Sequence, residues 1–250
     1  MTRSEQLAFL IHALAPDSCI PASDAEKWRL LRALVNVREP GAVSEAFLAV
    51  QDAFLQGEIA AKGITDIEDL QPVRDNLYLW QGDITTLRAD AIVNAANSGM
   101  TGCYCPNHGC IDNVIHTFAG VQLRNECAQR MQQQGYPEPT GQAKLTAAYN
   151  LPCRYILHTV GPIVQGGLTE RHKAELANCY RSCLTLAAET GLSAIAFCCI
   201  STGVFHFPNA IAAQIAVDTV EAFQREHPSM RVIFNVFLNK DLEIYREVLR

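Results

Sequence analysis

The chain has 250 residues, 49% of them apolar and 18% charged, with a net charge of -6. That length makes between one and two domains, each able to bury a core without disulfide staples. The longest run free of polar or turn residues, Ala194 to Ile200, falls far short of the ~20 that cross a bilayer, and Glu5 stands where a secretory leader is basic, so the chain reads as cytoplasmic with no membrane contact. In residues 1–75 apolar side chains recur at three and four spacing, as in Trp28, Leu31, Leu34, Val35 and again Phe47, Val50, Phe54. With breaks at Pro16, Pro21, Pro40-Gly41 and Gly63 this predicts about three amphipathic helices, the second capped by Ser23 or Asp24 and the third by Ser44. From Leu77 the texture changes to short apolar runs between longer helical stretches. The predicted strands are Leu77–Trp80, Ala91–Asn94, Ala143–Ala147, Tyr155–Val160, Ala194–Ile200 and Val232–Phe237. The predicted helices are Ile111–Ala119, Val121–Gln133, Glu170–Glu189, Asn209–Arg225 and Asp241–Leu249. This alternation describes βαβ units, hence a three-layer α/β/α module over residues 76–250 with a largely parallel sheet, preceded by a helical extension over residues 1–75. In such sheets ligands collect at the carboxyl ends of the strands, where loops and helix N-termini point N–H groups outward.

The acid is concentrated up front. Residues 1–75 hold 7 Lys/Arg against 12 Asp/Glu, and residues 76–250 hold 13 against 14. Neither part has the basic stripe of a nucleic-acid binder, although a small anion held by backbone N–H groups remains compatible with this balance. Ten cysteines in a cytoplasmic chain are core residues, metal ligands or reactive thiols rather than a disulfide framework. One segment stands out: Thr101-Gly102-Cys103-Tyr104-Cys105-Pro106-Asn107-His108-Gly109-Cys110 follows a predicted strand and concentrates three cysteines and a histidine. A loop turned by Gly102, Pro106 and Gly109 can gather Cys103, His108 and Cys110 around one zinc ion, leaving a fourth position open as catalytic sites do, or closed by Cys105. The plain alternative is a set of loop cysteines beside a surface histidine. The His-x-Glu and Pro-Cys-x-x-Cys of nucleobase deaminases are absent, as is the paired spacing of a classical zinc finger.

Three strand-to-loop junctions frame this segment: Gly82-Asp83-Ile84-Thr85, Ile92-Val93-Asn94-Ala95-Ala96-Asn97-Ser98-Gly99, and Ser201-Thr202-Gly203-Val204-Phe205-His206-Phe207-Pro208. In this order, with Gly141-Gln142-Ala143-Lys144-Leu145-Thr146, the Tyr149 to Pro152 turn and His158-Thr159-Val160-Gly161-Pro162, they resemble the macrodomain fold, an ADP-ribose-binding module, over residues 76–250. The fold so implied is α/β/α with a mixed, largely parallel sheet. Gly102-Cys103-x4-His108-x-Cys110-Ile111-Asp112-Asn113-x2-His116 stands where most hydrolytic macrodomains carry a glycine run, and is similar to the microbial zinc-containing branch. That resemblance implies Zn²⁺ on Cys103, His108 and Cys110, an N-terminal helical extension, and removal of mono-ADP-ribose from modified protein. It also implies partners: a sirtuin-class ADP-ribosyltransferase and a lipoyl carrier protein.

Each site residue has two readings. The resemblance assigns Asp83, with Ile84 beside it, to the adenine amino group, whereas a turn aspartate is the plain one. Asn97 is implied to contact the distal ribose and share in catalysis, while Asn94 reads as structural, pinning the loop. Ser201, Thr202, Gly203, Val204 and Phe205 are implied to form the phosphate loop, with Phe207 packing on the distal ribose; His206 replaces the family's usual glycine. Asn239 and Phe237 fall where the fold lines the adenine pocket, Phe237 being equally readable as core. Asp112 matches the acidic residue near the scissile bond, and in any case suits the first turn of a helix. His116 reads as a satisfied, partly buried histidine, and Cys198 and Cys199 as core within a strand. Cys19, Cys127, Cys153, Cys179 and Cys183 lack metal-ligand spacing. The implied activity is zinc-dependent hydrolysis of protein-linked ADP-ribose; the alternatives are a non-catalytic ADP-ribose reader with structural zinc and a hydrolase of small ADP-ribose esters.

Overall fold

The structure, a computed structural model, describes residues 1–250. Three helices come first: α1 (Arg3–Leu14), α2 (Asp24–Val37) and α3 (Glu45–Lys62). Each begins on a hydroxyl that accepts an otherwise orphan N–H: Thr2 from Glu5, Ser23 from Glu26 and Ser44 from Phe47. There follow β1 (Thr65–Asp66), β2 (Leu77–Gln81), β3 (Leu87–Arg88), β4 (Ala91–Ala96), α4 (Ile111–Ala119), α5 (Val121–Gln134), β5 (Ala143–Ala147) and β6 (Tyr155–Val160). The chain closes with α6 (Glu170–Glu189), β7 (Ala194–Phe197), α7 (Asn209–Glu226), β8 (Arg231–Val236) and α8 (Asn239–Val248).

Six strands form one sheet in the order β2-β8-β7-β4-β6-β5, parallel throughout except for β5 against β6, while β1 and β3 make a separate two-stranded patch. The central strands are apolar on both faces, as in Ala91, Ile92 and Val93 of β4 or Val232 and Ile233 of β8, because helices cover both sides. Helices α6, α7 and α8 form one outer layer; α4 and α5 form the other. The sheet is thus largely parallel and sandwiched, as the alternation of patterns predicts, and mixed, as the resemblance implies.

Two boundaries differ from the sequence reading in ways that shape the site. β7 ends at Phe197, not Ile200, so Cys198 and Cys199 leave the sheet rather than sitting inside it. β8 ends at Val236, which frees Phe237.

The N-terminal helices dock on α4 and α5. Trp28 packs against Phe54 at 5.2 Å and Phe118 at 5.9 Å between ring centroids. Such aromatic pairs add about 0.5–1.5 kcal/mol each beyond their buried area. Arg124 Nη1 of α5 donates to the carbonyls of Val35, Asn36 and Arg38 at 3.0, 2.8 and 2.6 Å, satisfying the end of α2, whose last-turn carbonyls have no partner within their own helix. Gln51 of α3 accepts from the Val121 N–H that opens α5 and donates to Gln122. The helices therefore pack on the α/β layers through both a continuous apolar core and buried polar bonds.

Candidate functional site

The carboxyl ends of β2, β4, β7 and β8 open into a cleft of about 1160 Å³. Ala95, Gly161, Cys198 and Asn235 lie at the strand ends beneath it, and the loops after β2, β4, β7 and β8 form its rim. Helices α2 and α3 supply part of one wall through Trp28, Arg32 and Lys62. The sequence reading missed these three residues. Trp28 was legible only as part of an apolar stripe, and nothing local marks Arg32 or Lys62 as cleft residues.

At the β2 end, Asp83 and Ile84 line the cleft. Asp83 also caps the turn Ile84–Thr86: its Oδ1 accepts from the Thr85 N–H at 3.0 Å and the Thr85 hydroxyl at 2.6 Å, and its Oδ2 accepts from Lys62 Nζ at 2.8 Å. Burial opposes the charge on Asp83, but the Lys62 and Thr85 bonds outweigh it and hold the carboxyl below its ordinary range. Lys62 Nζ lies 3.5 Å from the Phe118 ring centroid, so one cation bridges the carboxylate and an aromatic face. Phe237 is 71% exposed and lines the cleft with Leu238, which decides its two readings in favour of the pocket.

Ser201, Thr202, Gly203, Val204 and Phe205 all border the cleft. The N–H groups of Gly203, Val204 and Phe205 have no acceptor in the protein, while the His206 and Phe207 N–H groups turn back to Gly203 and Ser201 at 3.0 Å each. The result is a nest of free donors suited to an anion. Ser201 and His206 both adopt positive φ, 64° and 56°, so His206 takes up the backbone conformation a glycine would favour while its side chain is exposed outside the cleft. Gly161 admits this turn: a Cβ there would fall 2.0 Å from Ser201 Oγ.

Two expected pocket residues are not brought to the cleft. The bond from the Phe207 N–H to the Ser201 carbonyl turns the chain inward, and the Phe207 side chain is 1% exposed in the core. Phe205 borders the cleft instead. Asn239 opens α8 and its Oδ1 accepts from Gln81 Nε2 at 2.8 Å, outside the cleft. Cys198 and Cys199, read as core, border the cleft as well as packing beneath it. An apolar run cannot distinguish a strand from an apolar cleft floor.

Asp112 lies in the first turn of α4, whose N-terminus has no side-chain cap and faces the cleft. Its Oδ1 accepts from Asn94 Nδ2 at 2.9 Å and its Oδ2 from Asn97 Nδ2 at 3.2 Å. Burial raises this carboxyl to about 6 against the lowering effect of Asn94, Arg124 and Asn97. Asn94 therefore orients a carboxylate rather than pinning its loop. Asn97 does pin the loop: it donates to the Gly102 carbonyl at 3.0 Å and accepts from the Gly99 N–H at 2.9 Å, while still lining the cleft. His116 is fully buried, not partly, and neither ring nitrogen has a hydrogen-bond partner; Asp112 Oδ1 is 3.6 Å from its Nε2. It borders a small cavity of about 20 Å³ beside Asn36 and Arg124, room for one water. Burial, with His158 and Arg124 nearby, lowers its pKa and keeps the ring neutral.

Cys103, His108 and Cys110 bring one ligand atom each to within 4.8 Å of one another on the cleft wall, with Cys103 Sγ 3.5 Å from His108 Nδ1. Cys105 is exposed and outside this group; its N–H points at Cys103 Sγ at 3.4 Å. Burial, reinforced by Cys103 and Asp112, pushes the Cys110 thiol up to about 11, so its thiolate form calls for a cation. Two sulfurs and one imidazole nitrogen are a zinc-type donor set.

Comparisons agree with this geometry. The Macro domain family model matches residues 93–216. A Treponema medium protein named protein-ADP-ribose hydrolase is 55% identical over 260 residues, covering 100% of both chains. A Staphylococcus aureus (strain MRSA252) protein of the same name is 52% identical over 231 residues, covering 91% of this chain and 86% of that one. The solved Trypanosoma brucei macrodomain in complex with ADP-ribose superposes with a TM-score of 0.68 at 32% identity, over 88% of this chain and 95% of that one. With relatives 55% and 52% identical over 100% and 91% of its length, and a cleft built at the strand ends by the motifs that suggested it, the chain belongs to the macrodomain family.

Proposed function

We propose that the chain is a protein-ADP-ribose hydrolase that removes mono-ADP-ribose from modified protein. The observation that carries this reading is the Asp112 carboxylate, held between Asn94 and Asn97 in a cleft that also contains the Cys103, His108 and Cys110 group. The names of the full-length relatives support it. Asp83 and Ile84 receive the adenine, the free N–H groups of the 201–205 loop receive the pyrophosphate, and Asn97 receives the distal ribose.

In the reaction a water oxygen bonds to the anomeric carbon of the distal ribose, the bond from that carbon to the acceptor side chain breaks, and a proton ends on the departing acceptor. Asp112 orients this water and takes its proton, with Asn94 and Asn97 fixing the direction of its two oxygens. Cys103, His108 and Cys110 would hold Zn²⁺, which when bound supplies a Lewis acid to polarise an oxygen at the bond being broken. The modified acceptor is a lipoyl carrier protein and the enzyme that modifies it a sirtuin-class transferase, the partners that the sequence resemblance implies.

Release of free ADP-ribose from a mono-ADP-ribosylated protein tests this reading. Asp112→Asn should lower the rate by roughly 10²–10⁴-fold, the scale of a general base, with ADP-ribose affinity changed only a few-fold. A chelator should lower the rate of the unaltered protein. Binding without release would make the chain a reader, and turnover confined to small ADP-ribose esters would move it to ester hydrolysis; either result overturns the proposal.

A further inference from the structure

The loop 101–110 makes few backbone hydrogen bonds of its own; within it the His108 N–H reaches the Cys105 carbonyl at 3.2 Å. Asn97 holds its Gly102 carbonyl at 3.0 Å, and the loop's other anchors come from helices. Arg32 Nη2 of α2 donates to the His108 carbonyl at 2.7 Å and to Asn113 Oδ1 at 3.0 Å. That second bond fixes which way the Asn113 amide faces, and Asn113 Nδ2 then donates to the Cys103 and Cys105 carbonyls at 3.3 and 3.0 Å. One turn further along the same face of α2, Asn36 Oδ1 accepts from the Asn107 N–H at 2.9 Å, and Asn36 Nδ2 donates to Thr117 at 3.0 Å. Asn36 and Asn113 are buried, and Arg32 lines the cleft. Asn107 sits at a φ of 56°, so its N–H is presented at a bend that one acceptor can hold in place.

We propose that helix α2 is part of the active site, with Arg32 and Asn36 acting as positioning residues that hold the loop 101–110 in the shape that gathers Cys103, His108 and Cys110. The inference rests on the metal-binding reading above. Its physical basis is preorganisation: ordering a loop is costly, and anchors made on folding remove that cost from the binding step. Arg32 adds a second effect, because it keeps its charge at any ordinary pH and stands beside a loop that must carry two thiolates as ligands.

The test uses the full chain, stripped of metal and titrated with Co²⁺, with thiolate-to-cobalt absorption as the signal. Hydrogen exchange at the Asn107 amide of the metal-free protein provides a readout independent of any ion. Arg32→Met and Asn36→Ala should each weaken Co²⁺ binding by roughly 10–100-fold, the scale for partners that orient metal ligands, and speed exchange at Asn107. Arg32→Lys should recover part of the affinity, since an ammonium keeps the charge and can reach one of the two acceptors. Thermal melting identifies any variant that fails to fold, and the remaining variants then carry the test. Folded variants that bind Co²⁺ within twofold of the unaltered chain overturn the inference and leave the metal reading intact. An unaltered chain that takes up no Co²⁺ overturns the metal reading itself, and the inference with it.

Discussion

Two Cys/His groups in this molecule offer the same donor atoms in opposite settings. Cys103, His108 and Cys110 are half-buried on the cleft wall; His116, Cys127 and His158 are fully buried, and each group brings its ligand atoms within 4.8 Å. In the buried group His158 has both ring nitrogens engaged, Nδ1 with Asn94 Nδ2 at 3.1 Å and Nε2 with Thr146 Oγ1 at 2.9 Å. Because Asn94 can only donate through Nδ2, Nδ1 is the acceptor and Nε2 carries the proton. Burial lowers the pKa of His158 to about 3 and pushes the Cys127 thiol up to about 12. The cleft group also has a thiol raised by burial, Cys110, but its setting differs: Cys103 Sγ accepts one N–H and keeps further lone pairs, Arg32 supplies a nearby cation, and the loop faces open volume. Proximity of sulfur and nitrogen is therefore not enough to make a metal site. Every ligand atom must keep a free lone pair, which His158 does not, and a thiolate needs open volume or a nearby cation.

The largest expected effect separates the two groups directly. Cys103→Ser should abolish stoichiometric zinc and lower hydrolysis at least ~100-fold through loss of Lewis-acid assistance. Cys127→Ala should leave metal content and rate close to those of the unaltered protein. Metal analysis of both variants beside an ADP-ribose release assay checks the pair, and zinc lost from Cys127→Ala instead would reverse the comparison.

The cleft group was legible because its three candidate donors lie within one short loop and its glycines and proline mark the turns. The buried group was not, since Cys127 and His158 come from α5 and β6 and meet only through tertiary packing. The same distinction runs through the fold. The bounds of β5, β6, α4 and α6 follow from the local pattern of apolar residues and breaks. The end of β7 escaped because Cys198 and Cys199 stay apolar as they pass from sheet to cleft floor. Phe205 and Phe207 could not be assigned to pocket and core without knowing that Ser201 and His206 adopt positive φ. Arg32 and Lys62 look like surface charges on amphipathic helices, and their roles depend on partners far along the chain.

A smaller effect concerns acid stability. His158 faces Asn94, Thr146, His116 and Cys127, and Arg130 adds a positive charge that also disfavours protonation. The unfolded chain protonates this histidine below pH ~6.5, whereas the fold resists until about 3, so its stabilising contribution is complete above 6.5 and is lost as pH falls between those values. At pH 5 the loss from this one group is about 2 kcal/mol relative to neutral pH. Asp112, raised to about 6, binds its proton earlier in the fold than in the unfolded chain and offsets part of it. His158→Gln isolates the contribution: the stability gap between the two proteins, measured by denaturant melts, should shrink by about 2 kcal/mol from pH 7.5 to pH 5. A gap that stays constant would mean that His158 is not held neutral by the fold.

The smallest effect is the most diagnostic of the buried group. If His116, Cys127 and His158 are packing residues, Cys127→Ala removes one buried sulfur from the core and should cost about 1 kcal/mol, comparable to a buried methylene. That cost should be the same with and without chelator, because no ion is displaced. A metal held there would behave differently, since ligand removal would forfeit binding energy that contributes to folding and the chelator would lower the melting temperature of the unaltered chain but not of the variant. Melting curves of both proteins, each with and without chelator, separate these outcomes. Any chelator-induced shift from the cleft group should appear equally in Cys127→Ala, because that group lacks Cys127 and keeps all three of its own residues.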